Sequence, residues 1–333
     1  MALQISLAAT PVQDPLLCSV PLPYSEEFNP HGFPARLATN SEAVLRAADE
    51  SWAGIPRKFD ETPIEVCCLV SDNGAAALPP PPLVRARRNL LTSVADADNV
   101  ITCDLSAGFA SVWVTEAVAS NQEYLRYHFL EAAVYCLLDT RHVVAIHAAC
   151  VSFDGRGVLL AGDSGAGKTS LAYACARRGW VYTSDDASCL VRRNSGRMVL
   201  GNPRAFRFRE TAGQLFPEFS GAKESRRGQG KPTIEVQTRA LPAIRTARES
   251  QADYIVFLNR REGMAGRTRL TPVGGEEACR RLWWNPWPAE LTGGEDRRAA
   301  LRRLSTADSY ELSYRDLDSA VDRLEQLARG GSQ

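Results

Sequence analysis

The feature that most constrains this chain is a glycine-rich segment at residues 162–169. It matches the pattern G-x-x-x-x-G-K-[ST] at every fixed position. Residues 157–161 before it form a short apolar run typical of a buried strand, and residues 168–178 after it have the pattern of a helix. Glycines let successive backbone N–H groups point into one hollow, and the start of a helix adds its positive dipole end. The segment therefore predicts a phosphate-binding loop between a strand and a helix.

The loop and the first helical turn are expected to hold a nucleoside triphosphate together with Mg²⁺. Lys168 would reach the β- and γ-phosphates, and the hydroxyl of Thr169 would take one position on the metal ion. The predicted nucleotide-binding residues are Gly162, Asp163, Ser164, Gly165, Ala166, Gly167, Lys168, Thr169 and Ser170.

Two adjacent carboxylates follow the next predicted strand, which covers residues 180–184. Neighbouring side chains of a strand point to opposite faces, so both acids could reach the loop only where the strand has turned into a coil. We expect Asp185 to take the proton of an acceptor hydroxyl and Asp186 to bind Mg²⁺ with Thr169. The alternative is an Asp-Asp turn between two strands without a catalytic role.

A single histidine lies in the strand predicted over residues 143–153, just before the strand that leads into the loop. A turn at 154–156 would bring this strand back, so that His147 would lie beside the phosphates or the acceptor. The alternative is a histidine at the edge of the core. His147 is therefore a third candidate catalytic residue, beside Asp185 and Asp186.

Composition excludes several classes of partner. Lys and Arg number 39, as do Asp and Glu, so we expect no nucleic-acid partner, because no net charge drives counterion release. No run of about eighteen apolar residues occurs, so we expect no membrane span. The nine cysteines lie mostly in apolar runs without C-x-x-C spacing, and the first twenty residues carry no Lys or Arg. These features predict a cytoplasmic protein.

The pattern along the chain predicts three parts. Residues 1–35 are Pro-rich and are expected to form a mobile N-terminal coil, residues 36–141 a small α+β domain of unknown role, and residues 142–330 the nucleotide-binding domain. Further predicted elements are helices at 40–52, 121–140, 275–284, 295–306 and 316–329, strands at 64–70, 99–105, 109–115 and 253–258, and a hairpin formed by 187–192 and 197–200.

His147, the loop motif and the pair Asp185–Asp186, in this order and spacing, resemble the catalytic domain of the bacterial HPr kinase/phosphorylase family, which shares its nucleotide site with phosphoenolpyruvate carboxykinase. The resemblance covers residues 143–330. It implies an α/β fold with a P-loop (Walker A) domain of that type, preceded by a smaller α+β domain. It also implies ATP and Mg²⁺ as cofactors, Asp185 as the base or acid, Asp186 as a carboxylate on the metal side, and His147 in the active site.

One segment departs from the family. Residues 202–209 lack the glycine-bearing signature associated with recognition of the HPr protein, so we expect a different acceptor, with Arg204 and Arg207 as candidate substrate-binding residues. The sequence therefore predicts a kinase that transfers the γ-phosphoryl group to a hydroxyl, for example of a serine, on a protein or a small molecule. The alternative is a nucleotide-dependent switch or ATPase that acts through partner binding. The protein could form a homo-oligomer.

Overall fold

The computed structural model describes residues 21–72, 76–193, 196–210, 212–222, 233–260, 268–283 and 294–330. This part of the chain is a mixed α/β structure. The contacts divide the chain into two compact units, Met1–Leu137 and Leu138–Gln333. The roles assigned above to three parts of the chain stay predictions, and residues 1–20 of the expected N-terminal coil lie outside the described residues. None of the described helices is long and apolar enough to cross a membrane.

The first unit contains a seven-stranded sheet in the order β1-β2-β3-β7-β6-β5-β4, counted over its described residues. Its strands are β1 (Tyr24–Phe28), β2 (Ala35–Thr39), β3 (Ile64–Ser71), β4 (Leu83–Arg87), β5 (Leu90–Val94), β6 (Val100–Asp104) and β7 (Phe109–Thr115). Its helices are α1 (Glu42–Trp52), α2 (Glu116–Ser120) and α3 (Gln122–Leu125), followed by a π-helical turn at Arg126–Leu130. Helix α4 (Glu131–Arg141) begins in this unit and ends in the second.

The first unit contains two elements that the sequence pattern does not predict. The coil expected up to residue 35 contains β1, which pairs with β2 over its whole length. The segment before 99 contains the unpredicted hairpin of β4 and β5. Both β1 and β4 are edge strands with mostly exposed side chains, so neither shows the alternation of apolar and polar residues by which a half-buried strand is recognised. The predicted helix at 40–52 and the hairpin at 99–115 are confirmed.

The second unit is built on a ten-stranded sheet, again counted over described residues, whose main path runs β16-β11-β9-β10-β17-β13-β12-β8. The strands of this unit are β8 (Val143–Ile146), β9 (Ala148–Phe153), β10 (Arg156–Ala161), β11 (Val181–Ser184), β12 (Ser188–Val191), β13 (Met198–Leu200), β14 (Ala205–Arg209), β15 (Thr233–Gln237), β16 (Arg245–Thr246), β17 (Glu249–Arg260), β18 (Arg269–Pro272) and β19 (Asp308–Tyr314). Strands β14 and β15 form a separate two-stranded sheet.

Helices cover both faces of the large sheet. They are α5 (Lys168–Arg177), α6 (Ala212–Leu215), α7 (Gly275–Leu282), α8 (Gly294–Leu304) and α9 (Leu317–Ala328). Val158 and Leu160 of β10 pack into one core with α5 and α9, whereas Leu159 packs into the other with α7 and α8. Because β10 is buried on both faces, its sequence is a continuous apolar run. The helices predicted at 275–284, 295–306 and 316–329 are confirmed within a few residues.

The single strand predicted over residues 143–153 is interrupted at one residue, so this prediction is wrong there. It is divided at His147 into β8, which pairs with β12 near one end of the sheet, and β9, which pairs with β10 and β11 near the other end. The facing chain is divided at the same level, because β11 ends at Ser184 and β12 begins at Ser188. No glycine or proline marks the bend at His147, so the sequence pattern could not predict it.

Two buried serine hydroxyls form a hydrogen-bonded chain to one backbone carbonyl at this double break. The hydroxyl of Ser188 donates to the carbonyl oxygen of Ala148 at 2.9 Å, and it lies 2.7 Å from the hydroxyl of Ser184. These side chains replace hydrogen bonds that a regular ladder would make, and an unpaired polar group at this depth would be costly. These hydrogen bonds stabilise the break, which holds His147 opposite residues 185–187.

A buried ion pair fastens α8 to the start of this region. The guanidinium of Arg297 is 1% exposed, with Nη1 3.2 Å from Oδ2 of Asp139, and its Nη2 donates to the carbonyl oxygen of Ala145. The backbone N–H of Ala145, in β8, donates to the same Asp139 carboxylate. The carboxylate of Asp139 thus joins α8 and β8 in one buried network of hydrogen bonds.

We expect Arg297→Ala to lower the free energy of unfolding by about 3 kcal/mol, because it leaves a carboxylate buried without its opposite charge. Urea unfolding followed by circular dichroism measures this. The exposed Arg302 of the same helix provides the matched control, since Arg302→Ala should change stability by less than about 0.5 kcal/mol. Equal effects of the two substitutions would contradict a stabilising role for the buried pair.

Candidate active site

The glycine-rich loop lies where the sequence predicts, between the end of β10 and the start of α5. Gly165 and Gly167 both have φ of 95°, in the left-handed region that side chains rarely adopt. A Cβ atom on Gly167 would also lie 2.9 Å from the hydroxyl of Tyr314. That hydroxyl donates to the carbonyl oxygen of Ala166 at 3.1 Å, so β19 supports the loop from below. Asp163, Ser164 and Gly165 are exposed, which leaves the outer side of the loop open to a ligand.

Lys168 is buried at the start of α5, and its ammonium group is the centre of the site. Nζ donates to the carbonyl oxygens of Gly162 at 2.9 Å and Asp163 at 3.3 Å, and it lies 2.9 Å from Nε2 of His147. Burial lowers the pKa of Lys168 and the charge of Arg209 lowers it further, whereas the carboxylate of Asp186 opposes the shift. Thr169 and Ser170 follow in the first turn of the helix and are partly exposed.

Asp186 and His147 join Lys168. Oδ1 of Asp186 lies 3.7 Å from Nζ of Lys168 and 3.4 Å from Nδ1 of His147, and 58% of the Asp186 side chain is exposed. The imidazole therefore lies between an ammonium group at one nitrogen and a carboxylate at the other. The double break of the sheet brings these groups together, because His147 and Asp186 occupy its two sides.

Asp185 has a different environment from its neighbour. The residue is 5% exposed, and Oδ2 accepts a hydrogen bond from the backbone N–H of Arg207 in β14 at 2.6 Å. Burial raises the pKa of Asp185 to about 6, and the charge and N–H of Arg207 offset part of this rise. Both acids lie past the end of β11, as the sequence argument requires, yet only Asp186 is seen against Lys168. The division of roles between them stays a prediction.

The two arginines predicted to bind substrate lie beside β14. Nε of Arg207 is 3.3 Å from Oε2 of Glu235, across the β14–β15 pair, and its backbone holds Asp185. Arg204 precedes β14, and its carbonyl oxygen accepts from the backbone N–H of Thr238. Contact with a substrate stays a prediction for both.

The sequence argument missed Arg209, the last residue of β14. Its Nη2 donates to the hydroxyl of Ser164 at 2.7 Å and would lie 3.7 Å from a Cβ atom on Gly165. The predicted elements include no strand at 205–209, although Phe206 and Phe208 alternate with Arg207 and Arg209, which is the period of a strand with one apolar face. That alternation was the available signal.

The arrangement suits a polyanion. A loop with an open outer side, the start of a ten-residue helix, a buried ammonium group and the Arg209 guanidinium provide donors and positive charge in one place. Among the described residues no cluster of three or more His, Cys, Asp or Glu side chains could hold a metal ion by itself. The oxygens of Thr169 and Asp186 would instead serve a Mg²⁺ ion that completes its shell with phosphate and water, as Mg²⁺ usually does.

Comparisons with known proteins give a limited answer. The sequence profile of a family described as "SynChlorMet cassette protein ScmC" matches residues 113–206, from β7 through the loop and the acid pair into β14. No curated protein matches the chain. Among solved structures, the Hpr(Ser) kinase/phosphatase from Coxiella burnetii is similar with 15% identity and a TM-score of 0.31, over 56% of this chain and 99% of that chain. The profile match names a family other than the one that the sequence motifs resemble, and that resemblance stays a prediction.

We expect Asp185→Asn to change the pH dependence of stability. The folded-state pKa of about 6 lies above the ordinary 3.8, so the folded wild type gains a proton relative to the unfolded chain between these values. The contribution of Asp185 to the free energy of unfolding should therefore be highest below pH 3.8 and fall by up to about 3 kcal/mol as pH rises through 6.

The amide introduced by this substitution cannot ionise, so the variant should become more stable than the wild type above about pH 6 and lose that advantage towards pH 4. Urea unfolding of both proteins at several pH values tests this, because all other titrating groups cancel in the difference. A difference that does not vary with pH would contradict the burial argument.

Proposed function

We propose that the protein is an ATP- and Mg²⁺-dependent kinase that transfers the γ-phosphoryl group to a hydroxyl, for example of a serine, on a protein or small molecule. The observation that carries this proposal is the group of Lys168, His147 and Asp186 at the end of the glycine-rich loop. Phosphoryl transfer needs phosphates fixed, negative charge neutralised and a hydroxyl relieved of its proton. Lys168 and Asp186 offer positive charge and a metal ligand, and Asp185, next to Asp186 in the chain, offers a base.

Each part of the site has a proposed role. The amides of residues 162–170 and the ammonium of Lys168 would bind the phosphates, and Arg209 would add charge at the exposed side of the loop. Thr169 and Asp186 would hold Mg²⁺, which supplies neutralisation of charge on the phosphate oxygens when bound. Arg204 and Arg207 are proposed to contact the acceptor.

The proposed reaction is a single displacement. The acceptor oxygen forms a bond to the γ-phosphorus, the bond from that phosphorus to the β,γ-bridging oxygen breaks, ADP leaves, and the hydroxyl proton passes to Asp185. The raised pKa of Asp185 supports this assignment, since a general base works best when its pKa lies near the operating pH.

In a second assignment the hydroxyl proton passes to Asp186, and Asp185 has a structural role. Asp186 is exposed and contacts the imidazole of His147 and the ammonium of Lys168, so an approaching hydroxyl can reach it directly. His147 would then orient the Asp186 carboxylate, and Asp185 would fix β14 beside the site through the N–H of Arg207. The exposed position of Asp186 favours the second assignment, whereas the raised pKa of Asp185 favours the first.

The test uses purified protein with ATP labelled at the γ-phosphate, Mg²⁺, and protein and small-molecule fractions of its host. We expect label on an acceptor, reduced about 10²- to 10⁴-fold in the variant that lacks the base. Asp185→Asn distinguishes the two assignments, because it removes the base only in the first, whereas Asp186→Asn should lower transfer in both; Arg302→Ala is the control.

Release of labelled inorganic phosphate without any labelled acceptor would instead support the alternative function, a nucleotide-dependent switch or ATPase that acts through a partner. Failure to bind ATP with Mg²⁺ at all would contradict both functions. Calorimetry on the same samples separates that case from the absence of the correct acceptor.

We expect Arg209→Gln to lower kcat/KM for ATP by about tenfold to a hundredfold, because a guanidinium directed at the loop would stabilise the negative charge of the terminal phosphate. Arg209→Lys should recover part of the loss, since charge is kept without the planar fork. Arg207→Gln is the comparison: if Arg207 serves the acceptor, its loss should raise the acceptor KM and leave the affinity for ATP unchanged. Wild-type kinetics in Arg209→Gln would exclude the proposed role.

A further inference from the structure

A second surface, unrelated to the loop, lies at one edge of the sheet in the first unit. Strand β4 is the last strand in the order of that sheet and pairs only with β5 among the described residues. Its side chains are exposed on both faces, and Leu83 is 71% exposed. The outer N–H and C=O groups of such a strand are a template for another extended segment.

The open face of the sheet carries an apolar row that leads to this edge. Leu83 of β4 is paired with Val94 of β5, Val94 with Val100 of β6, and Val100 with Trp113 of β7. Directly paired residues share a face, so the four side chains form one line across four strands. All four are exposed or partly exposed, whereas the opposite face carries buried residues such as Ile101. A solvent-facing row of this kind is typical of a binding surface.

Positive charge continues the row along β4. Arg85 and Arg87 lie on the same face as Leu83, two and four residues further on, and Arg88 begins the turn to β5. None of the three forms an ion pair with another residue in the described ranges. Arg88 has φ of 55°, a left-handed conformation in which hairpin turns prefer Asn or Gly.

The hairpin that carries these arginines is held firmly. Nδ2 of Asn89 donates to Oδ1 of Asp104 at 2.8 Å and to the hydroxyl of Ser106 at 3.1 Å, and its carbonyl oxygen accepts from the N–H of Leu105. The hydrogen bonds from Ser106 and Asn89 lower the pKa of Asp104 to about 2, so this carboxylate is occupied within its own turn. The turn after β4 is therefore tied to the end of β6 before any ligand arrives, which reduces the entropy lost on binding.

We propose that β4 binds an extended peptide by strand addition, with an apolar residue opposite Leu83 and acidic residues opposite Arg85 and Arg87. Charged edge strands also prevent association between copies of a protein. That role alone does not require the apolar row beside the charges, and the two together select an acidic partner with an apolar side chain at alternate spacing. The proposal is independent of the kinase function and adds a peptide-binding site to it.

The test uses the full chain and two fluorescein-labelled peptides, followed by fluorescence anisotropy. The first has Val, Glu and Glu at alternate positions with Thr between them, and is made in both chain directions. The second has Lys in place of Glu. We expect saturable binding of the Glu peptide in one direction, and binding about tenfold weaker for the double variant Arg85→Glu/Arg87→Glu. The double variant should in turn prefer the Lys peptide.

Matched controls separate the edge from general electrostatics. Arg36→Glu/Arg46→Glu makes the same change in net charge at exposed positions of β2 and α1 and should leave binding unchanged. A Glu peptide N-methylated at alternate residues should lose binding, because strand addition needs its N–H groups. Leu83→Asn should weaken binding through the apolar contact.

Four results would overturn the proposal. The first is no saturable binding up to about 1 mM peptide. The second is equal binding of the Glu and Lys peptides. The third is binding only after removal of residues 1–20, which would assign the edge to the chain's own N-terminal segment. Concentration-dependent dimerisation that Arg85→Glu/Arg87→Glu abolishes would likewise assign it to a second copy.

Discussion

The ammonium group of Lys168 is the interaction on which the rest of the site depends. A buried cation is costly unless several acceptors surround it, and here two loop carbonyls, an imidazole nitrogen and a carboxylate do so. The same acceptors define the site, because the carbonyls fix the loop and the other two groups bring His147 and Asp186 to it. A phosphate group would replace some of these acceptors, so the free protein holds the lysine in position for an anion.

The double break of the sheet makes this arrangement available. His147 and residues 185–187 lie where two paired strands leave one part of the sheet for another. There the hydroxyl of Ser188 bonds to the carbonyl oxygen of Ala148 and contacts the hydroxyl of Ser184. Side chains at such a break are released from the alternation of a regular strand. Asp185 can therefore turn into the protein towards β14 while Asp186 turns to Lys168. Two adjacent, chemically identical residues thus acquire different environments, one buried and one exposed.

The sequence predicted the local parts of this site well and its long-range parts poorly. The strand, loop and helix around Lys168 are encoded within about twenty residues, so motif and periodicity suffice. The division of 143–153 at His147 depends on pairing with β12, more than forty residues away, and no local residue marks it. Arg209 lies in β14, whose only partner in its two-stranded sheet, β15, is distant in the sequence. The alternation of apolar and charged residues within β14 was nevertheless a local signal that could have revealed it. The edge strands β1 and β4 lack a buried face and so carry no period. Substrate and domain roles are not encoded in any pattern of this kind.

The central claim is that Lys168, His147 and Asp186 form a site for a nucleotide with its metal ion. Isothermal titration calorimetry with a non-hydrolysable ATP analogue, with and without Mg²⁺, tests it most directly in the wild type and in Asp186→Asn. We expect Mg²⁺ to strengthen binding about tenfold or more in the wild type and far less in the variant, while Arg302→Ala behaves as the wild type. Absence of binding in the wild type, or the same effect of Mg²⁺ in both proteins, would contradict it.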